Sequence, residues 1–136
     1  MAWIVDTNLL LDATLDDPRF RASSMELLRK RRRVGLVACP VTVVEIAPTF
    51  DGNAVAIREF LDALSVTGRE PWTERDTDAA CEAWTRHISQ PRAQLTGKRL
   101  IADVLIGAFA KRFNGLLTRN ATDFRALFPG LKIESP

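Results

Sequence analysis

The sequence predicts an α/β fold, a three-layer α/β/α arrangement around a central parallel sheet of four to five short strands. Two observations lead there. Short, wholly apolar runs rich in β-branched residues recur along the chain, and segments with helical spacing of apolar residues separate them. That alternation is the pattern of strand–helix–strand units, which pair in parallel and carry helices on both faces. Size fits as well: 136 residues, 46% of them hydrophobic, make one domain (1–136) able to bury roughly two-thirds of its unfolded surface.

Taken in order, residues 2–5 form a buried first strand that ends at Asp6 and Thr7. Residues 18–33 suit a helix with Met25, Leu27 and Leu28 turned inward, and 34–39 a second strand halted by Pro40. Thr42 stands three residues before Glu45, the spacing of a capping box, which would open a helix there. Residues 53–64 (NAVAIREFLDAL) are amphipathic, with Val55, Ile57, Phe60, Leu61 and Leu64 for the inner face. Residues 65–72 suit a short strand or a loop, 74–87 a helix, and 91–97 a loop. The clearest helix covers 99–113 and ends at Asn114-Gly115. A strand at 116–118, a short helix at 122–128 and a closing strand at 131–133 complete the order. Trp3 belongs to the core, while Trp72, Trp84, Phe50 and Phe60 suit either a core or a partner groove. The stretch 71–97 carries no recognisable motif.

Composition removes several classes of function. The longest uncharged stretch, 34–44, is far shorter than the ~20 apolar residues of a membrane span. MAWIVD places an acid where a secretory signal is basic, so a cytoplasmic protein is expected. Cys39 and Cys81 form no Cys-x-x-Cys pair and His87 is the only histidine, which disfavours zinc and histidine-based triads. No glycine-rich phosphate loop follows the first strand.

The positions of the acids carry more information than the net charge of +2. Asp6 is the only charged residue in 1–11, Glu45 the only one in 34–50, and Asp103 the only one in 100–110. A carboxylate withdrawn from water is costly unless it is paired, hydrogen-bonded or bound to a cation. Asp6 and Asp123 follow strands, and Glu45 and Asp103 are expected in the early turns of helices, so all four can meet at the carboxyl end of a parallel sheet. Two unit charges ~4 Å apart repel by about 4 kcal/mol at an effective dielectric of ~20, so such a cluster takes up protons or recruits a cation. Oxygen ligands without Cys or His select a hard ion, Mg²⁺ or Mn²⁺. Such an ion activates water for attack on a phosphodiester and stabilises the charge that builds on phosphorus oxygens. With the four acids set aside, nineteen basic residues face thirteen acids, a surface suited to a polyanion.

Four segments, IVDTNLLLD, PVTVVEIAP, LIADVLIGAFA and LLTRNATDF, resemble in order and spacing the motifs of the PIN-domain ribonucleases, and among them the VapC-like toxins of bacterial toxin–antitoxin pairs. The resemblance covers nearly the whole chain. It implies a PIN-like fold and a metal-dependent endoribonuclease in which Asp6, Glu45, Asp103 and Asp123 hold one or two divalent ions. Thr7, Asn8, Thr118 and Asn120 then orient those acids. A structured RNA such as tRNA or rRNA is the implied substrate, a small antitoxin the implied inhibitor, and a homodimer the implied assembly.

Other readings of the same residues stand beside this one. Asp6 and Asp123 suit turns at strand ends, Glu45 a helix cap, and Thr118 and Asn120 an Asx-type turn. The run RKRRR at 29–33 complements a helix C-terminus as readily as it meets nucleic acid. Lys98 and Arg99, near the start of the helix carrying Asp103, are the candidate phosphate contacts. At the level of function the alternatives are an RNA-maturation nuclease without antitoxin and a non-catalytic acidic-pocket module of interaction or signalling.

Overall fold

The computed structural model describes residues 1–15, 17–90 and 100–136. Five strands, β1 (Trp3–Val5), β2 (Leu36–Val37), β3 (Val66–Thr67), β4 (Gly115–Leu117) and β5 (Ile133–Glu134), form one sheet in the order β3-β2-β1-β4-β5. Every pairing is parallel, and Trp3 sits opposite both Leu36 and Gly115. The helices are α1 (Thr7–Thr14), α2 (Arg21–Arg31), α3 (Pro40–Ile46), α4 (Ala54–Ala63), α5 (Glu74–Ile88), α6 (Leu100–Ala110) and α7 (Ala121–Leu127), with a 3-10 turn at Ala47–Phe50 after α3. The three-layer α/β/α architecture expected from the sequence is therefore present, with five strands.

Alternation along β1 divides the core. Trp3 and Val5 face one side, where they pack with Leu9, Leu10, Leu27, Leu28, Ile57 and Leu61 of α1, α2 and α4. Ile4, Val37 and Leu116 face the other, against Ile106, Phe109 and Phe124 of α6 and α7. Burial on both faces explains why the strand is apolar throughout, as parallel strands under two helical layers are. Trp72 packs against Phe109, whereas Trp84 is exposed at the surface of α5, and Phe50 and Phe60 pack against each other. Gly115 has no room for a side chain: a Cβ there would run into the Lys132 carbonyl and the Trp3 ring.

Three expectations need correction. Helix α1, unexpected from the sequence, begins directly after β1 because Asp6 caps it, Oδ1 accepting from Thr7 N at 2.7 Å. Helix α3 opens at Pro40, with Cys39 in the cap position and no side-chain cap bond, so Thr42 is not its cap. The fixed φ of proline suits the first helical position, which moves the start two residues upstream. Glu45 in consequence lies near the end of α3, not in an early turn. The strands at 34–39 and 131–133 are shorter than expected or shifted, being confined to Leu36–Val37 and Ile133–Glu134. The loop expected at 91–97 lies outside the described residues.

Helix α5 packs along α6, and Asp76 ties α5 to the turn that follows α6. Its carboxylate completes a capping box with Thr73 and also accepts from Arg112 Nε at 2.6 Å and Nη2 at 2.9 Å. Burial works against ionisation of Asp76, but the Arg112 guanidinium and the Thr73 N–H and hydroxyl outweigh it and hold the carboxyl below its usual range. Asp76→Ala is expected to lower the free energy of unfolding by about 3 kcal/mol, measured by urea denaturation at neutral pH. Because the folded value is depressed, this stabilisation is present above the unfolded pKa and fades as pH falls through the folded one. The gap between wild type and variant should accordingly narrow below about pH 4. The cysteines give a second check. Burial pushes the Cys39 thiol up to about 11, while Cys81 is exposed. Titration of the folded protein with a thiol reagent at mildly alkaline pH should modify Cys81 alone, and Cys39 only after denaturation.

Candidate active site at the carboxyl ends of the strands

In a parallel sheet with crossover helices, the carboxyl ends of the strands and the N-termini of the helices that follow or return to them share one side. Asp6 is the first residue beyond β1, α3 follows β2, α6 runs back to enter β4, and Thr118 is the first residue beyond β4. Helix α6 starts at this side and carries Asp103 in its first turn. Chain direction thus brings Asp6, Asp103 and Thr118 to one end of the sheet.

Asp6 is buried, 1% exposed, and held on both oxygens. Besides the Thr7 N–H on Oδ1, the Thr118 hydroxyl donates to Oδ2 at 2.7 Å. Thr118 is itself buried. Its oxygen accepts from Asn120 N at 2.9 Å and lies 3.5 Å from Asn8 Nδ2. One hydroxyl thus makes both the turn contact with Asn120 N and the bond to the Asp6 carboxylate. Asn120 contributes through its backbone N–H and stands at the N-cap of α7 without a side-chain cap bond.

Thr7 connects the second acid. Its hydroxyl donates to Glu45 Oε1 at 2.6 Å and lies 3.1 Å from the hydroxyl of Thr42, a buried residue inside α3. Adjacent groups of one residue, the N–H and the hydroxyl of Thr7, thus bind Asp6 and Glu45, which fixes the two carboxylates relative to each other. Asp103 is buried on α6, 7% exposed. Asp6, Glu45 and Asp103 each make further interactions within the protein. Asp123 lies exposed in the first turn of α7, and among the described residues no hydrogen bond or ion pair joins it to the other three. Lys98 and Arg99 lie outside the described residues.

The sequence did not single out Asp12 or Arg119. Asp12 is buried at 4% exposure and accepts from Arg119 Nε at 2.7 Å, from Arg119 Nη2 at 2.9 Å and from the Ser24 hydroxyl at 2.7 Å. Arg119 also lies over the Phe20 ring, 4.0 Å from its centroid, and its N–H points to Asn8 Oδ1 at 3.4 Å. Helix α1 therefore grips the 118–120 loop at both Asn8 and Asp12. Only the arginine's place directly after Thr118 marks it in the sequence.

Chemically, carboxylate oxygens, buried at Asp6 and Asp103 and half-buried at Glu45, are donors for a hard divalent ion and not for a soft one. Among the described residues, however, no three His, Cys, Asp or Glu side chains stand grouped to hold an ion. Nor is any described helix long and apolar enough to cross a membrane.

No protein-family model matches the chain, and no curated protein matches it in sequence. Among solved structures, a chain of the VapBC2 complex from Rickettsia felis, bound to a DNA fragment from its promoter, superposes with a TM-score of 0.68. Identity is 19%, over 99% of this chain and 98% of the other. At that identity the likeness is one of architecture alone, a PIN-like three-layer fold.

Proposed function

We propose that the chain is a divalent-metal-dependent endoribonuclease, the toxin of a toxin–antitoxin pair, acting in the cytoplasm on a structured RNA such as tRNA or rRNA. One observation carries the reading: Asp6 and Glu45 are bound by adjacent groups of Thr7 at the carboxyl end of the sheet, beside the buried Thr118. The fold shared with a chain of a VapBC complex supports it further. Asp6, Glu45, Asp103 and Asp123 are the proposed ligands of Mg²⁺ or Mn²⁺. When bound, such an ion lowers the pKa of a coordinated water and offsets charge on the phosphorus oxygens.

The chain's own residues supply orientation. Thr118 and the Thr7 N–H fix the Asp6 carboxylate. Glu45, held through Oε1 by Thr7, is proposed either as a ligand or as the group that accepts a proton from the attacking water, a scheme that calls for no protein nucleophile. Asp103, in the first turn of α6, sits where backbone N–H groups favour negative charge. Lys98 and Arg99 are proposed phosphate contacts, and a small antitoxin and a second copy of the chain are proposed partners.

Purified protein incubated with end-labelled RNA should give discrete fragments in Mg²⁺ or Mn²⁺ and none in EDTA. Asp6→Asn and Asp103→Asn should abolish those fragments and weaken Mn²⁺ binding in calorimetry. Cleavage that persists in both variants would remove the proposal. Induced expression should arrest bacterial growth for wild type and not for Asp6→Asn; normal growth alongside genuine cleavage would instead favour RNA maturation. Thr118→Val should weaken Mn²⁺ affinity or activity about 10- to 100-fold, as loss of a group that orients a ligand does. Thr118→Ser, which keeps the hydroxyl, should retain most of both.

A further inference from the structure

The opposite end of the sheet has the opposite charge. A cavity of about 280 Å³ lies at the amino ends of β4 and β5, lined among others by Arg86, Lys111, Asn114 and Lys132 and by no acid. Arg86 is positioned by a hydrogen bond from Nη2 to the Leu127 carbonyl, 3.2 Å. Lys132 Nζ stands 5.4 Å from the centroid of the Trp3 ring, and Arg31 lies 5.0 Å from it. Arg31 is neutralised by Glu134, but its neighbours Arg32 and Arg33 are exposed. Among the described residues Arg32, Arg33, Arg86, Lys111 and Lys132 form no ion pair.

The helix dipole accounts for part of this charge, since Arg29, Lys30 and Arg31 occupy the last turn of α2. It does not account for Lys132, which belongs to the loop before β5, or for a cavity whose charged lining is entirely basic. Uncompensated cations held around a concave surface attract a polyanion, and each one that meets a phosphate releases a counterion.

We propose that this amino-end surface, from Arg32 and Arg33 past Lys132 to the cavity of Arg86 and Lys111, binds the phosphate backbone of RNA at a distance from the carboxylates. The identification of RNA rests on the proposed nuclease function. A folded RNA is large enough to reach both ends of the sheet, and the basic end supplies the affinity that a carboxylate site repels. Binding here is to backbone, without base readout.

The test measures binding of a fluorescently end-labelled RNA hairpin in EDTA, by anisotropy across a salt series, so that cleavage plays no part. Lys111→Gln with Lys132→Gln should weaken binding about tenfold and lower the slope of log K against log salt by about 1.5, the share of two phosphate contacts. Arg58→Gln with Arg69→Gln removes the same charge beside β3 and should change neither quantity; thermal melts confirm that both pairs fold. Unchanged binding in the lysine pair overturns the proposal. So does an equal loss in the two pairs, which would indicate net charge alone, or a preference for duplex DNA over the hairpin. RNA binding lost with the lysines but without cleavage by wild type in Mg²⁺ or Mn²⁺ would sustain this surface and remove the nuclease reading. Normal cleavage with no lysine effect would do the reverse.

Discussion

A strand covered by helices on both faces leaves little water for the residue that follows it, so a carboxylate placed there has to be satisfied by the protein. Asp6 is satisfied from two directions, by the first N–H of α1 and by the Thr118 hydroxyl from the end of β4. The parallel pairing of β1 with β4 makes the second bond possible, since Val5 and Leu117 are register partners and Asp6 and Thr118 come next. The start of α1, the 118–120 turn and the orientation of Glu45 all follow from that register. A shift of one residue would turn Trp3 and Val5 to the wrong face and part Asp6 from Thr118.

The charge arrangement follows the same geometry. In a parallel α/β sheet the helices present N-termini at one end and C-termini at the other, which favours acids at the first and bases at the second. The chain extends this tendency, with buried carboxylates beyond β1 and in α6 and a basic cavity before β4 and β5. A net charge of +2 conceals a molecule of separated charge.

Legibility from the sequence depended on whether the cause was local. Asp6 and Asp103 could be found because each is a lone charge in an apolar run, and burial leaves that trace in one dimension. Helix α6 was legible for the same reason, being almost wholly apolar. Helix α1 was not, because three consecutive leucines in eight residues show no helical alternation. It is stabilised by the Asp6 cap and by burial of Leu9 and Leu10 under the sheet. The start of α3 differs from the expected one because proline's fit to the first helical position outweighs a capping-box spacing. Asp12 was invisible because its partner Arg119 lies 107 positions away and neither residue is unusual in its own neighbourhood. Asp123 illustrates the converse: a motif position legible in the sequence stands exposed, unconnected to the other acids among the described residues.

The Asp12–Arg119 pair also restricts how the sequence can vary. Asp12 is buried and Arg119 exposed, so loss of Arg119 strands a carboxylate away from water, whereas loss of Asp12 leaves a cation that water still reaches. Replacing Arg119 while Asp12 remains is therefore the costlier of the two single changes, and either one removes a tie between α1 and the loop beside Thr118. Drift at 12 and 119 is therefore directional: Asp12 has to change before Arg119 or together with it, an order set by burial of the carboxylate before any selection on catalysis.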